Sequence, residues 1–311
     1  MTMTPQGQLP AHILPPRVFQ PPKPGQVIRC GDVTYYVGEK IGQGGFGYVY
    51  ACTDEWNNDL VAKVLLPQDR TYDVVRDGWL RELQNLVALR HPNVTYIHQA
   101  FEYQDTFYLI IERCWATLAH LLGRPDGELW LPYVARDVLF ALEYIHEAGY
   151  THKDLQPENV FISHVWDRTD ASRAPVWVFK VGDLGISKLE KEMGLLNTVF
   201  AHWMRPPEAF DPGEFGVLGK QVDIYQVGLL LLGLLRGSIP RFTEEEVLAG
   251  KPREMAESLS SVYAQCIARS LRRHVASRTQ TPIAFWREIV QALRTLKTDG
   301  GQAGSPGLDG S

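Results

Sequence analysis

Six residues, Gly42-Gln43-Gly44-Gly45-Phe46-Gly47, stand between two runs of strand-forming residues and constrain the start of the fold more than any other stretch. Upstream lies Val33-Thr34-Tyr35-Tyr36-Val37, and downstream lies Tyr48-Val49-Tyr50-Ala51-Cys52, both rich in β-branched and aromatic side chains. Strand, glycine loop and strand make a hairpin. A dinucleotide-binding turn of the same G-x-G-x-x-G spelling needs a helix directly after the glycines, its N-terminus facing the pyrophosphate. Strand formers occupy that place, which argues against such a fold. Two readings stay open here: an ordinary hairpin turn, or a lid whose backbone N–H groups approach anionic oxygens because no Cβ stands in the way.

The periodicity changes along the chain. Strand-type runs continue over residues 60–65 and 107–111, interrupted by one helix in which Leu80, Leu83, Leu86, Val87 and Leu89 recur at helical spacing. From Leu118 onward the pattern is helical, most clearly over residues 133–147, 223–235, 255–271 and 283–296. The expected class is α+β, a small sheet-rich part followed by a larger helical part, without internal repeats. Residues 1–27 hold seven prolines and few large apolar residues, so they are read as a disordered or extended leader. Within it, Pro21-Pro22-Lys23-Pro24 offers a docking element for a proline-reading partner, against the plain alternative of a flexible terminus. Residues 28–298 form the folded domain, and residues 299–311 a Gly/Ser/Asp tail.

A net charge of −5 gives no basic surface for nucleic acid or membrane lipid. The longest apolar run, residues 227–235, is far shorter than the ~20 residues that span a bilayer and reads as a buried helix. The N-terminus lacks a basic start followed by an apolar stretch, so no secretory signal is expected. Cys30, Cys52, Cys114 and Cys266 are widely spaced, which fits free thiols in a reducing cytoplasm.

The chemistry-bearing residues follow in order. Lys63 stands alone in an apolar strand, and a buried ammonium is costly unless paired; Glu82, on the next helix, is the natural counter-ion. His152-Lys153-Asp154-Leu155-Gln156-Pro157-Glu158-Asn159 sets an acid and an amide five residues apart around a Pro-Glu turn. Such a carboxylate can orient an attacking hydroxyl while the amide oxygen binds a metal ion carrying phosphates. Asp183-Leu184-Gly185 brings a further carboxylate 24 residues after Asn159. By itself each is an ordinary turn, edge lysine or solvated acid; their joint order is the signal.

Together these segments resemble the eukaryotic-type protein kinases: the glycine loop, the strand lysine, H-x-D-L-x-x-x-N and a D-F-G-like triplet. Trp203-Met204-Arg205-Pro206-Pro207-Glu208 is similar to the segment closing the activation loop in the branch containing MAP and cyclin-dependent kinases, and Asp223-Ile224-Tyr225-Gln226-Val227-Gly228 to the start of the central large-lobe helix. Small-molecule kinases usually lack this late pattern. The resemblance implies a two-lobed α+β fold, with an N-lobe over residues 28–113 and a C-lobe over residues 116–298. It implies ATP and Mg²⁺ as cofactors and protein Ser/Thr hydroxyls as acceptors. Ile41, Gly42, Gln43, Gly44, Gly45, Phe46, Gly47, Val49, Ala62 and Phe161 would surround ATP. Lys63 would hold the α- and β-phosphates, oriented by Glu82. Ile111 would guard the adenine pocket, and backbone groups of Glu112 and Cys114 would bond the base. Asp154 would orient the acceptor hydroxyl; Asn159 and Asp183 would bind Mg²⁺. Glu208 would pair with Arg278, and Asp223 would accept backbone hydrogen bonds from the catalytic loop.

Three positions depart from the family. Gln156 replaces a lysine that touches the γ-phosphate in serine/threonine kinases, a loss on the order of 10²-fold in rate by analogy with deleting one electrostatic donor. Ala201 stands where a threonine commonly bonds the catalytic aspartate. Lys153 keeps the positive charge of the usual arginine without its bidentate fork, and would pair with a phosphate on Thr198 or, second, Ser187. The alternative to an active kinase is a pseudokinase that binds nucleotide or partners without efficient transfer.

Overall fold

A computed structural model describes residues 18–44, 47–67, 70–166, 175–184, 188–189 and 204–299. The fold is α+β and separates into two compact units, residues 1–79 with 99–110, and residues 80–98 with 111–311.

The first unit is built on a six-stranded sheet. Its strands are β1 (Val27–Cys30), β2 (Val33–Gly44), β3 (Gly47–Asp54), β4 (Asp59–Leu65), β5 (Ile97–Tyr103) and β6 (Thr106–Glu112), in the spatial order β1-β2-β3-β4-β6-β5. The first four form an antiparallel meander, as alternating apolar runs joined by short turns dictate. Tyr35, Val37, Tyr50, Cys52, Leu60, Ala62 and Val64 from these strands meet Phe101, Tyr108 and Ile110 in one buried cluster. The Val, Leu, Ile and Phe side chains among them contribute about 1.5–3 kcal/mol each when fully withdrawn from water. Gly47 permits the close β3–β4 approach, because a Cβ there would lie 2.0 Å from the Val64 carbonyl oxygen.

The helix predicted from the leucine spacing is α1 (Tyr72–Ala88). Of the residues that recur at helical spacing, Leu86 and Leu89 are buried, Leu83 is half-buried, and Leu80 and Val87 are exposed. Trp79, which the leucine count ignored, supplies part of the contact by stacking on Phe107 at 5.1 Å.

The expected leader is also shorter than residues 1–27. From residue 18 the chain lies on the first unit: Phe19 packs against Tyr72 and Phe107, Pro22 is buried, Gly25 N–H donates to Val37 O, and β1 begins at Val27. Proline content said nothing about the aromatic side chain that anchors this segment.

The second unit is mostly helical. Its elements include α2 (Gly127–Glu147), α3 (Pro212–Phe215), α4 (Gln221–Arg236), α5 (Glu244–Ala249), α6 (Lys251–Glu257), α7 (Ala264–Ser270) and α8 (Pro282–Asp299). Helix α4 is buried on all sides from Val222 to Leu234, the signature of a core helix. Gly228 lets α7 approach it, since a Cβ would meet Ser270 Oγ at 2.2 Å. The single helix expected over residues 255–271 is broken into α6 and α7, separated by the Ser-rich stretch 258–261. Short strands β7 (Ala116–Thr117), β9 (Val160–Trp166) and β10 (Pro175–Val181) form a sheet in the order β10-β9-β7, and β8 (Tyr150–Thr151) pairs with β11 (Lys188–Leu189). The β9–β10 hairpin positions the segments that carry Asn159 and Asp183. All four cysteines are free thiols. Among the described residues, no helix is long and apolar enough to cross a membrane.

Candidate active site

In the first unit the glycine motif lies on the β2–β3 hairpin, with Gly42 opposite Val49, Gln43 opposite Tyr48 and Gly44 opposite Gly47. Lys40 braces this hairpin, its Nζ 3.8 Å from the Tyr48 ring centroid and 2.9 Å from Gln43 Oε1. Ile41 is exposed on β2. Val49 and Lys63 are direct cross-strand partners, so their side chains share one face of the sheet. Ala62 does not belong with them. It pairs with Tyr50 and is fully buried in the core cluster on the opposite face. Successive strand residues point to opposite faces, so the residue that accompanies Lys63 is Val61, two positions earlier and paired with Ala51. Counting by two along β4 would have found it from the sequence. Gly45, Phe46, Ser187, Thr198 and Ala201 lie outside the described residues.

The second unit assembles the acid–amide loop. Asp223, fully buried near the start of α4, accepts the N–H groups of His152 and Lys153 at 2.9 and 2.8 Å and a third bond from His146 Nε2 at 2.8 Å. Burial alone would raise its pKa; the bond and charge of His146, with the backbone N–H groups, instead hold it below the ordinary carboxylate value. This clamp sustains a left-handed backbone at Lys153, φ 74°, which costs a non-glycine residue roughly 1–2 kcal/mol. Gln226, also fully buried, bridges the same loop: its Nε2 donates to Lys153 O and its Oε1 accepts from Leu155 N. His146 and Gln226 were not among the expected residues. Gln226 lies within the D-x-x-x-x-G match, and its helical offset from Asp223 is the signal that puts both side chains on one face.

His152 links the loop to the strand preceding Asp183. Its Nδ1 accepts from Asp154 N at 3.2 Å, which assigns the proton to Nε2, 3.0 Å from Gly182 O. Asn159 Nδ2 donates to both the carbonyl oxygen and Oδ2 of Asp154, at 2.9 and 2.8 Å. With its amino group so engaged, the Asn159 Oδ1 remains the atom available to a cation. Asp183 adopts φ 57°, and Asn85 of α1 donates to the next residue's carbonyl, Leu184 O, at 2.9 Å. Burial pushes the Asp154 carboxyl above the ordinary range; His152 opposes this, the negative charge of Asp183 adds to it, and Asn159 and Lys153 oppose it. Gln156 Nε2 sits 3.4 Å from Asp154 Oδ2, a weak contact where the family has an ammonium.

Glu112 at the end of β6 is fixed on three sides. Lys180 Nζ lies 2.8 and 2.7 Å from its two carboxylate oxygens, Tyr96 N donates to Oε1, and its own N–H donates to Tyr96 O. Burial, and next the charge of Glu112, push the Cys114 thiol up to about 12. Ile111 and Phe161 are half-buried, and Phe161 lies opposite Lys180 on β10. At the end of the 204–208 segment, Arg278 Nη1 and Nη2 donate to the two oxygens of Glu208 at 2.6 and 2.8 Å, with both side chains wholly buried.

An α+β chain with a glycine hairpin, a strand lysine, and an acid–amide loop pinned by a buried helix aspartate has the arrangement of a protein kinase. A profile described as the protein kinase domain matches residues 35–296, and the chain belongs to that family. It is 31% identical over 248 residues to the probable serine/threonine-protein kinase PknB of Lactococcus lactis, covering 76% of this chain and 37% of that protein. It is 29% identical over 259 residues to the mitogen-activated protein kinase mpkC of Aspergillus clavatus, covering 76% of this chain and 62% of the relative. Cyclin-dependent kinase-like 4 of Mus musculus is 29% identical over 202 residues, 64% of this chain and 55% of that protein. The chain thus spans less than two thirds of the length of each of these relatives.

Proposed function

We propose that this chain is a Mg²⁺-dependent protein kinase that moves the γ-phosphoryl group of ATP to serine or threonine hydroxyls of protein substrates. The observation that carries this is the mutual placement of Asp154, Asn159 and Asp183: an oriented carboxylate, an amide with its oxygen available, and a second carboxylate close enough to raise the proton affinity of the first. Two half-buried carboxylates that repel each other, beside an amide oxygen, are a hard donor set suited to a divalent cation. Asp183 and Asn159 would hold Mg²⁺, which supplies neutralisation of phosphate charge.

Asp154 then orients the acceptor hydroxyl and takes its proton as the new O–P bond forms and the bond to the bridging oxygen of ADP breaks. Lys63 contacts the α- and β-phosphates, with Glu82 as its counter-ion. Because Glu112 N–H is committed to Tyr96 O, Glu112 meets the adenine through its carbonyl oxygen, and Cys114 through its backbone. Val61 and Val49 line the nucleotide in place of Ala62. Most of the rate acceleration comes from positioning and charge neutralisation.

The test is transfer of labelled γ-phosphate to the chain itself and to a generic protein acceptor, with Asp154→Asn and Lys63→Ala as comparisons. Loss on the order of 10³-fold in either variant is expected from removing one member of a catalytic set. Equal labelling of wild type and Asp154→Asn would refute enzyme activity and favour the nucleotide-binding scaffold, the reading that the weak Gln156 contact supports.

A further inference from the structure

The segment entering the first unit from the N-terminal side does more than lead into β1. Gln20 N donates to Thr106 Oγ1 at 3.0 Å, and the Thr106 hydroxyl in turn shares its proton between Gln20 O and Gln104 O, both at 3.2 Å. Thr106 is completely buried. These are main-chain bonds on the Gln20 side, so they fix the path of the segment while leaving its specificity to the neighbouring side chain. That side chain is Phe19, whose ring lies 5.8 Å from Tyr72 and 6.1 Å from Phe107.

The contacts continue inward. Tyr72 and Trp79 each lie 5.1 Å from Phe107, and Trp79 Nε1 donates to Tyr108 O at 3.1 Å. Tyr72 opens α1, Trp79 is two turns along it, and Glu82 follows three residues later on the same unbroken helix. Phe19 therefore completes an aromatic cluster holding the first half of α1 to β6. Asn85, farther along α1, is tied to Leu184 O.

We infer that Phe19 is a positioning residue for phosphoryl transfer: the segment 18–26 straps α1 in the attitude that presents Glu82. The inference rests on the role proposed above for Glu82. Aromatic pairs of this geometry shift a two-state balance by roughly tenfold when two are lost together. Removal of the ring should thus loosen α1 without unfolding the chain, because the main-chain bonds to Thr106 remain.

The full chain serves for the test, as wild type, Phe19→Ala and Phe19→Tyr. Hydrogen exchange over residues 80–88 reads the helix directly, and kcat with the KM for ATP reads its consequence. The expected result is roughly tenfold faster exchange and a comparable fall in kcat in Phe19→Ala. The KM for ATP and the melting temperature should stay near wild type. Phe19→Tyr, or a synthetic peptide of residues 18–26 added to Phe19→Ala, should restore both readouts. Unchanged exchange over residues 80–88 in Phe19→Ala overturns the inference, whatever the kinetics. Faster exchange with unchanged kcat in an active enzyme also overturns it. Faster exchange reversed by the peptide, in a wild-type chain that transfers no phosphate, upholds the strap and refutes the catalytic reading alone.

Discussion

Replacement of Arg278 by methionine should be among the most damaging single changes outside the reacting groups. The guanidinium has five N–H donors, and the structure provides five acceptors: Glu208 Oε1 and Gln221 O for Nη1, Glu208 Oε2 and Arg273 O for Nη2, and Arg272 O for Nε. Its face also lies 5.0 Å from the Tyr225 ring. Methionine fills much of the volume and satisfies none of these groups. Stranding the buried Glu208 carboxylate alone costs about 3–5 kcal/mol, and three orphaned carbonyls add to it. For a domain of this size, each kcal/mol lowers Tm by about 2–4 °C, so a loss of roughly 10 °C or more is expected. Urea unfolding followed by tryptophan fluorescence measures the free energy. Arg278→Lys should fare little better, since an ammonium has three donors and no planar fork. The double variant Arg278→Met with Glu208→Leu removes both charges and should recover about 2–3 kcal/mol relative to additivity. A loss below about 1 kcal/mol in Arg278→Met would refute the reasoning, because water would then be replacing every one of these bonds.

Two further outcomes follow from the loop chemistry. Asp223 has a folded-state pKa held below its unfolded value, so its stabilising contribution is present above the unfolded pKa and vanishes as pH falls through the depressed one. Asp223→Asn should therefore be less stable than wild type near neutrality, by about 2–4 kcal/mol, with the gap closing on acidification below pH ~4; a pH-independent gap in parallel denaturation series would contradict this. Gln156→Lys should restore a cation beside Asp154 and raise kcat by up to the order of 10²-fold without altering Tm. An unchanged kcat would show that Gln156 is not what limits the rate.

How far the site could be read in advance depended on the range of the interaction. Lys63, Asp154, Asn159 and Asp183 were singled out by their order and spacing within short segments, where backbone geometry is local. Ala62 was misplaced by a single residue, and the β3–β4 register, not composition, places Val61 beside Lys63. Leu80 and Val87 share the helical spacing of the leucines yet face solvent, while Leu86 and Leu89 are buried and Trp79 stacks on Phe107. Glu112 attracted attention for its backbone, while its side-chain pairing with Lys180, 68 residues away, had no local signal.

By itself the sequence determined the class: a glycine hairpin between strands, an acid and an amide five residues apart, and helices from Leu118 onward. These are consequences of φ/ψ preference and side-chain period, which act over a few residues. Tertiary structure alone decided which buried groups complete one another. Asp223 and His146 clamp the loop from 77 residues apart, and Glu208 meets Arg278 across 70 residues. Thr106 receives Gln20 across 86 residues. Burial makes each of these contacts consequential, because a polar or charged group removed from water needs its partner wherever along the chain that partner happens to lie.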